Sequence, residues 1–273
     1  MSASKGLRVI SVSSGKGGVG KTNVITGLAI SLAREGNRVL IIDADLGLAN
    51  IDIIFNVKPE MNISDVISGE ATMNEIIVDI NSHISLIPAG SGISNLTRLS
   101  EAQKLSLINE FDTIEQKYDY VLVDTGAGIS DNVLYFNLAS DDCIVVTTPE
   151  PTAITDAYAL MKVMSFEHSY RYFKLVVNMV KSEKEAKKVY FSLSQAVSRF
   201  LGETVIEYMG FLPYDQRVGE AVIKRMPAVT AYPDSDYAMS MLKIAKVLSR
   251  STPRQADYGS FKLFINRVVG RAV

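Results

Sequence analysis

The chain has 273 residues, 47% of them hydrophobic, enough for one large core and too few for two comfortable domains beside it. Its net charge of −2 gives no general basic field, and no direct nucleic-acid contact is expected. The lone Cys143 excludes a disulfide framework, the two histidines lack ligand spacing, and neither a signal peptide nor an apolar run of membrane-spanning length is present, so a cytoplasmic protein is expected.

In chain order, the apolar run Leu7 to Val12 reads as a buried strand, Arg8–Ser13. It leads into Gly15-Lys16-Gly17-Gly18-Val19-Gly20-Lys21-Thr22, which fits G-x-x-x-x-G-K-[ST], the loop that cradles nucleotide phosphates. A helix over Thr22–Glu35 follows, with Val24, Ile25, Leu28, Ala29 and Leu32 on one stripe. Strand, glycine loop and helix start form an anion site from backbone N–H groups and the helix dipole. Lys21 is expected at the β- and γ-phosphates and the Thr22 hydroxyl on Mg²⁺, with Asn23 also in the nucleotide site.

The strand Arg38–Asp43 ends in Asp43-Ala44-Asp45, two acids that point the same way on an extended chain. Such a pair is costly without a nearby cation. Asp45 is the candidate to position the attacking water and Asp43 to bind Mg²⁺ through water; helix capping before Ala49–Ile54 is the other reading. Then come a helix (Ile63–Ser68), a strand (Ile84–Pro88), a helix (Glu101–Gln116) and a strand (Tyr120–Asp124). Asp124 is a further metal-shell candidate, and Gly126 and Gly128 would let the following backbone move when the γ-phosphate leaves. The alternation continues through Asp131–Ala139, Cys143–Thr148, Thr152–Ser165, Lys174–Asn178, Lys184–Leu201, Ile206–Phe211, Arg217–Ile223 and Asp236–Ser249. This pattern predicts an α/β fold: a single doubly wound, mostly parallel sheet with helices on both faces. Continuous runs such as Val39-Leu40-Ile41-Ile42 suit strands buried on both sides. Asn178, with a donor and an acceptor on its amide, is a candidate for an adenine edge. Pro213 fits a turn as well as a base contact.

After the P-loop domain expected over 1–249, a polar linker is expected over 250–259 and an amphipathic helix over 260–273. In that tail Phe261, Phe264, Ile265, Val268 and Val269 form an apolar stripe with Lys262, Arg267 and Arg271 between. The stripe fits attachment to an anionic membrane surface; docking on the protein's own core or on a dimer mate fits it too.

The string Lys16 to Thr22 resembles the deviant phosphate loop of the MinD/ParA ATPases, a P-loop NTPase family. That resemblance implies that Lys16 reaches across an ATP-dependent homodimer to the partner's nucleotide, and that Asn178 and the Pro213–Asp215 segment flank the base. It implies a slow, Mg²⁺-dependent hydrolysis of ATP to ADP, with Lys16, Lys21 and Asp45 in the catalytic set. Within the family, the segments Asp43 to Asp52, Asp124 to Ile129 and Pro149 to Leu160 resemble the FlhG/FleN flagellar-number regulators, whereas MinD typically has an arginine where Ala49 stands. The helix from Thr152 would then belong to the dimer and partner surface, although Thr152 also suits a plain helix cap. The implied function is an ATP switch, cytosolic or held at the inner face of the membrane, that restrains a FleQ-type transcription activator. Many of these proteins activate the GTPase FlhF through an N-terminal Asp-Gln-Ala-x-x-Leu-Arg motif. Met1 to Gly6 carry no such motif, so stimulation of FlhF by that route is not expected. A MinD-type division-site regulator and a ParA-type DNA-partitioning ATPase are the competing readings, the latter opposed by the acidic balance and apolar tail. An iron–sulfur relative would need more cysteines than Cys143.

Overall fold

The computed structural model describes residues 6–45, 50–90 and 99–252. The residues 46–49 of the Asp43–Asp52 string and the tail stripe Phe261, Phe264, Ile265, Val268 and Val269 lie outside the described residues. The chain runs β1 (Arg8–Ser14), α1 (Lys21–Arg34), β2 (Val39–Ala44), α2 (Ile51–Phe55), α3 (Ile63–Ser68), α4 (Met73–Ile76), β3 (Val78–Asn81), β4 (Ile84–Ile87) and α5 (Glu101–Asp112). It continues through β5 (Tyr120–Ala127), α6 (Asp131–Ala139), β6 (Asp142–Thr147), α7 (Pro151–His168), β7 (Tyr172–Val180), α8 (Glu183–Phe200), β8 (Val205–Pro213), α9 (Gln216–Ile223), α10 (Ala228–Ala231) and α11 (Asp236–Arg250).

The strands form one sheet in the order β3-β4-β2-β5-β1-β6-β7-β8, parallel except for β3, which pairs antiparallel with β4 at the edge. This is the expected doubly wound α/β architecture, with β1 inside the sheet between β5 and β6. Alternate residues of each central strand serve opposite faces. Ile10, Val12, Ile41, Leu122 and Ile144 pack with α1 and α11, whereas Val9, Leu40, Val123 and Val145 pack under α3 to α8. Both faces are covered, which is why the strand sequences read as unbroken apolar runs. Gly27 lets α1 lie close to α11: a Cβ there would stand 2.9 Å from Met241 Cε. Serines cap α5, α8 and α11, each accepting from a backbone N–H one turn in (Ser100, Ser182 and Ser235).

At the N-terminal ends of the strands lies a buried ladder of charge. Arg8 pairs with Asp142 (2.6 Å), and Lys174 bridges Asp142 (3.4 Å) and Glu207 (2.7 Å). Arg8 also donates to the carbonyls of Leu248 (2.7 Å) and Ser251 (2.8 Å), closing the C-terminus of α11. The phosphate loop lies beyond the other ends of the same strands, where ligands bind on such sheets.

Candidate nucleotide and metal site

Residues 15–20 turn between β1 and α1, and two of their glycines stand where another residue would hardly fit. A Cβ on Gly15 would meet the carbonyl oxygen of Asp156 in α7 at 2.1 Å. Gly20 caps α1 at φ +87°, a left-handed conformation, and a Cβ there would meet Asn178 Nδ2 at 2.4 Å. The cavity lined by Gly17 to Asn23 and Asp45 has a volume of about 570 Å³.

Beneath it, Lys21 is buried, with Nζ 3.1 Å from Asp124 Oδ1 and 3.6 Å from Asp45 Oδ2. Asp43 and Asp124 stand side by side in register on β2 and β5. Burial, and then the neighbouring Asp124 charge, push Asp43 up from 3.8 to about 7. Burial also raises Asp124, while the Lys21 ammonium and a hydrogen bond with Thr22 act the other way. Asp45 and Asp124 thus face one ammonium, Asp43 stands beside Asp124, and the Thr22 hydroxyl touches Asp124.

This donor set fits Mg²⁺. Carboxylate and hydroxyl oxygens are hard ligands, and the excess negative charge calls for a cation. Among the described residues no cluster of three or more metal-ligating side chains forms a self-sufficient site. Mg²⁺ usually keeps water and phosphate oxygens among its ligands. Thr22, Asp43 and Asp124 are the residues that would hold it.

Lys16 turns elsewhere. Its ammonium bonds to Glu150 Oε1 and, at 2.8 Å, to Thr152 Oγ1 at the start of α7, and it does not line the phosphate cavity. These hydrogen bonds, Lys16 first, hold the Glu150 carboxyl below the usual range.

A second cavity of about 410 Å³ adjoins the first, lined among others by Asn23, Asn178, Pro213, Asp215, Gln216 and Tyr237. The sequence candidates for the base therefore come together. Asn178 is partly committed: Nδ2 donates to the Val19 carbonyl (2.8 Å) and Oδ1 accepts from Met179 N–H (2.9 Å). One donor and one acceptor of the amide remain. Asp215 caps α9 through Arg217 N–H, and its carboxylate is clamped by the Arg217 guanidinium at 2.8 and 2.9 Å.

Sequence reasoning missed a seam of hydroxyls behind the loop. Thr125 Oγ1 donates to Ser13 Oγ (3.0 Å), and Asn137 Nδ2 in α6 donates to the same oxygen (3.1 Å). Gly128 N–H donates to the neighbouring Ser14 carbonyl (2.9 Å). All three side chains are fully buried. Their partners are more than 100 residues apart in sequence, and no spacing announces them. The lining by Tyr237 and Val222 was missed for the same reason.

A glycine loop between a central parallel strand and a helix, backed by acids at the ends of two neighbouring strands, defines a P-loop NTPase. The family model described as "ParA: NUBPL iron-transfer P-loop NTPase" matches residues 6–249. Antiactivator FleN of Pseudomonas aeruginosa is 37% identical over 264 residues, 96% of this chain and 94% of that protein. Flagellum site-determining protein YlxH of Helicobacter pylori is 37% identical over 88% of this chain and 81% of its own length. Among solved structures, a chain of the MinC:MinD cell division protein complex of Aquifex aeolicus superposes with a TM-score of 0.72 at 26% identity, covering 92% of this chain and 100% of that one. The chain belongs to the ParA/MinD family of P-loop NTPases, in its FleN/FlhG branch.

Proposed function

We propose that this protein is a Mg²⁺-dependent ATPase switch that limits flagellar number. ATP closes two copies into a dimer, and the dimer restrains a FleQ-type transcription activator until hydrolysis releases it. The observation that carries this reading is the disposition of the two loop lysines. Lys21 lies under its own phosphate cavity, whereas Lys16 is held on the rim by Glu150 and Thr152, free of that cavity. A lysine so placed can exchange its partners for the nucleotide of a second copy. Ile53 on the cavity wall and Ile129, two residues beyond the lining Ala127, are exposed apolar side chains that suit a seam between copies.

In this reading the loop amides and Lys21 hold the phosphates. Thr22, Asp43 and Asp124 hold the metal, which supplies charge neutralisation at the transferring phosphoryl group. Asp45 accepts a hydrogen bond from the attacking water and orients it. The Gly126–Ser130 backbone senses whether the γ-phosphate is present. The name antiactivator printed for the Pseudomonas relative supports the transcription-activator partner. The GTPase FlhF is a further candidate partner. The apolar stripe from Phe261 to Val269 supports attachment to anionic membrane, strengthened when dimerisation presents two tails.

Size exclusion with light scattering, in ADP and in ATP, tests the switch. Wild type is expected to dimerise only with ATP. Lys16→Ala is expected to bind ATP normally, remain monomeric and hydrolyse slowly. Asp45→Ala is expected to accumulate as an ATP-bound dimer without turnover. A Lys16→Ala protein that dimerises like wild type defeats the cross-subunit role of that lysine.

A further inference from the structure

Met179 adopts a left-handed backbone conformation, φ +58°, without being glycine, asparagine or aspartate. Such strain persists only where the surroundings enforce it, and it concentrates at ligand sites. The enforcing group is Asn178, whose Oδ1 accepts the Met179 N–H while its Nδ2 is tied to the phosphate loop at Val19. The pairing of β7 with β8 shifts register across this point, between Val177 and Val180. Packing inside the protein does not explain the side chain: Val177 and Val180 are buried, but Met179 is 40% exposed.

Its position suggests what the strain achieves. Met179 lines both the phosphate cavity and the adjoining cavity of Asn178 and Pro213. Its tip reaches back over the loop, with Cε 3.4 Å from where a Cβ on Gly20 would stand. A nucleotide spanning the two cavities must pass this side chain.

We propose that Met179 is a nucleoside-binding residue: its thioether forms an apolar platform under the ribose and purine of the bound nucleotide, and the left-handed turn after Asn178 exists to present it. A flexible, polarisable thioether suits contact with an aromatic base. The inference rests on the nucleotide reading above and adds a residue to it.

The test compares Met179→Asn with Met179→Leu. Asparagine tolerates the left-handed conformation and keeps the fold unstrained, but it has no apolar reach. Leucine keeps the reach. Each purified protein is titrated calorimetrically with ATP and with inorganic tripolyphosphate, and its melting temperature is measured without ligand. Met179→Asn is expected to weaken ATP binding about tenfold. Its tripolyphosphate affinity and melting temperature are expected not to fall, and Met179→Leu is expected to bind ATP within about twofold of wild type. Equal loss for ATP and tripolyphosphate would mean a structural effect on the loop and would overturn the proposal, as would unchanged ATP affinity in Met179→Asn. Wild type that bound no ATP would overturn the nucleotide reading itself and this inference with it.

Discussion

The two ends of the sheet hold two buried charge clusters of opposite design. At the N-terminal ends, Arg8, Asp142, Lys174 and Glu207 alternate in sign, sum to zero and pair in sequence at 2.6, 3.4 and 2.7 Å. At the C-terminal ends, Lys21 faces Asp45 and Asp124, Asp43 stands beside Asp124, and burial with like charge drives Asp43 to about 7. A ladder that closes on itself serves the fold, because Arg8, Asp142 and Lys174 have lost water but gained partners, and Glu207 ends the row half-buried. A cluster of three carboxyl groups with one ammonium among them, one carboxyl pushed up to about 7, serves the fold badly. A cation and a phosphate chain would complete it.

Substitutions in the two clusters are therefore expected to act on different observables. The largest effect is on binding: Lys21→Ala removes the one ammonium at the phosphates and is expected to weaken ATP affinity by about 100-fold or more, measured by titration calorimetry. The next is on stability: Lys174→Met leaves Asp142 with Arg8 alone and takes the partner from Glu207, and is expected to cost about 3 kcal/mol, roughly 10 °C in melting temperature. ATP affinity below the transition is expected to stay within about twofold. If Lys174→Met instead abolished ATP binding with little change in melting, the division between the ends would fail.

The smallest effect has the opposite sign. Because the folded value of Asp43 is raised from 3.8 to about 7, the folded state favours its protonated form. That stability is fully present below 3.8 and is lost as pH rises through about 7. Metal-free Asp43→Asn is therefore expected to melt about 5 °C above wild type at pH 8 and together with it at pH 4, read by scanning calorimetry with chelator. An asparagine variant less stable than wild type at pH 8 would show that the carboxylate is satisfied without metal.

The phosphate loop was legible because its chemistry is local: strand, glycines, Lys21 and Thr22 are contiguous, and their spacing carries the geometry. Seven of the eight strands were legible through their unbroken apolar runs. The exception, Val78–Asn81, is a four-residue edge strand that alternates partly buried with exposed positions and so lacks that signal. The short helices α4 and α10 have too few turns for a periodic stripe. Within the site, the partners of Lys16 at Glu150 and Thr152, the Asp156 carbonyl against Gly15 and the mooring at Ser13 all join distant segments. Side chains that meet only through the fold leave no periodic trace. Met179 was invisible for another reason: its distinction is a backbone angle, and a methionine in a strand announces none.

Ser13 and Ser14 give the molecule a short mechanical linkage. Thr125, Gly128 and Asn137 are moored to these two consecutive residues, by way of the Ser13 hydroxyl and the Ser14 carbonyl. Between the moorings the span that begins with Ile129 projects to the surface, where that side chain is 49% exposed. The same strand runs straight on into the phosphate loop. A strand shift at the loop therefore acts like a push on the hub of a crank with little free length. Position, rather than charge, is what this part of the protein can pass from its interior to an apolar spot on its face.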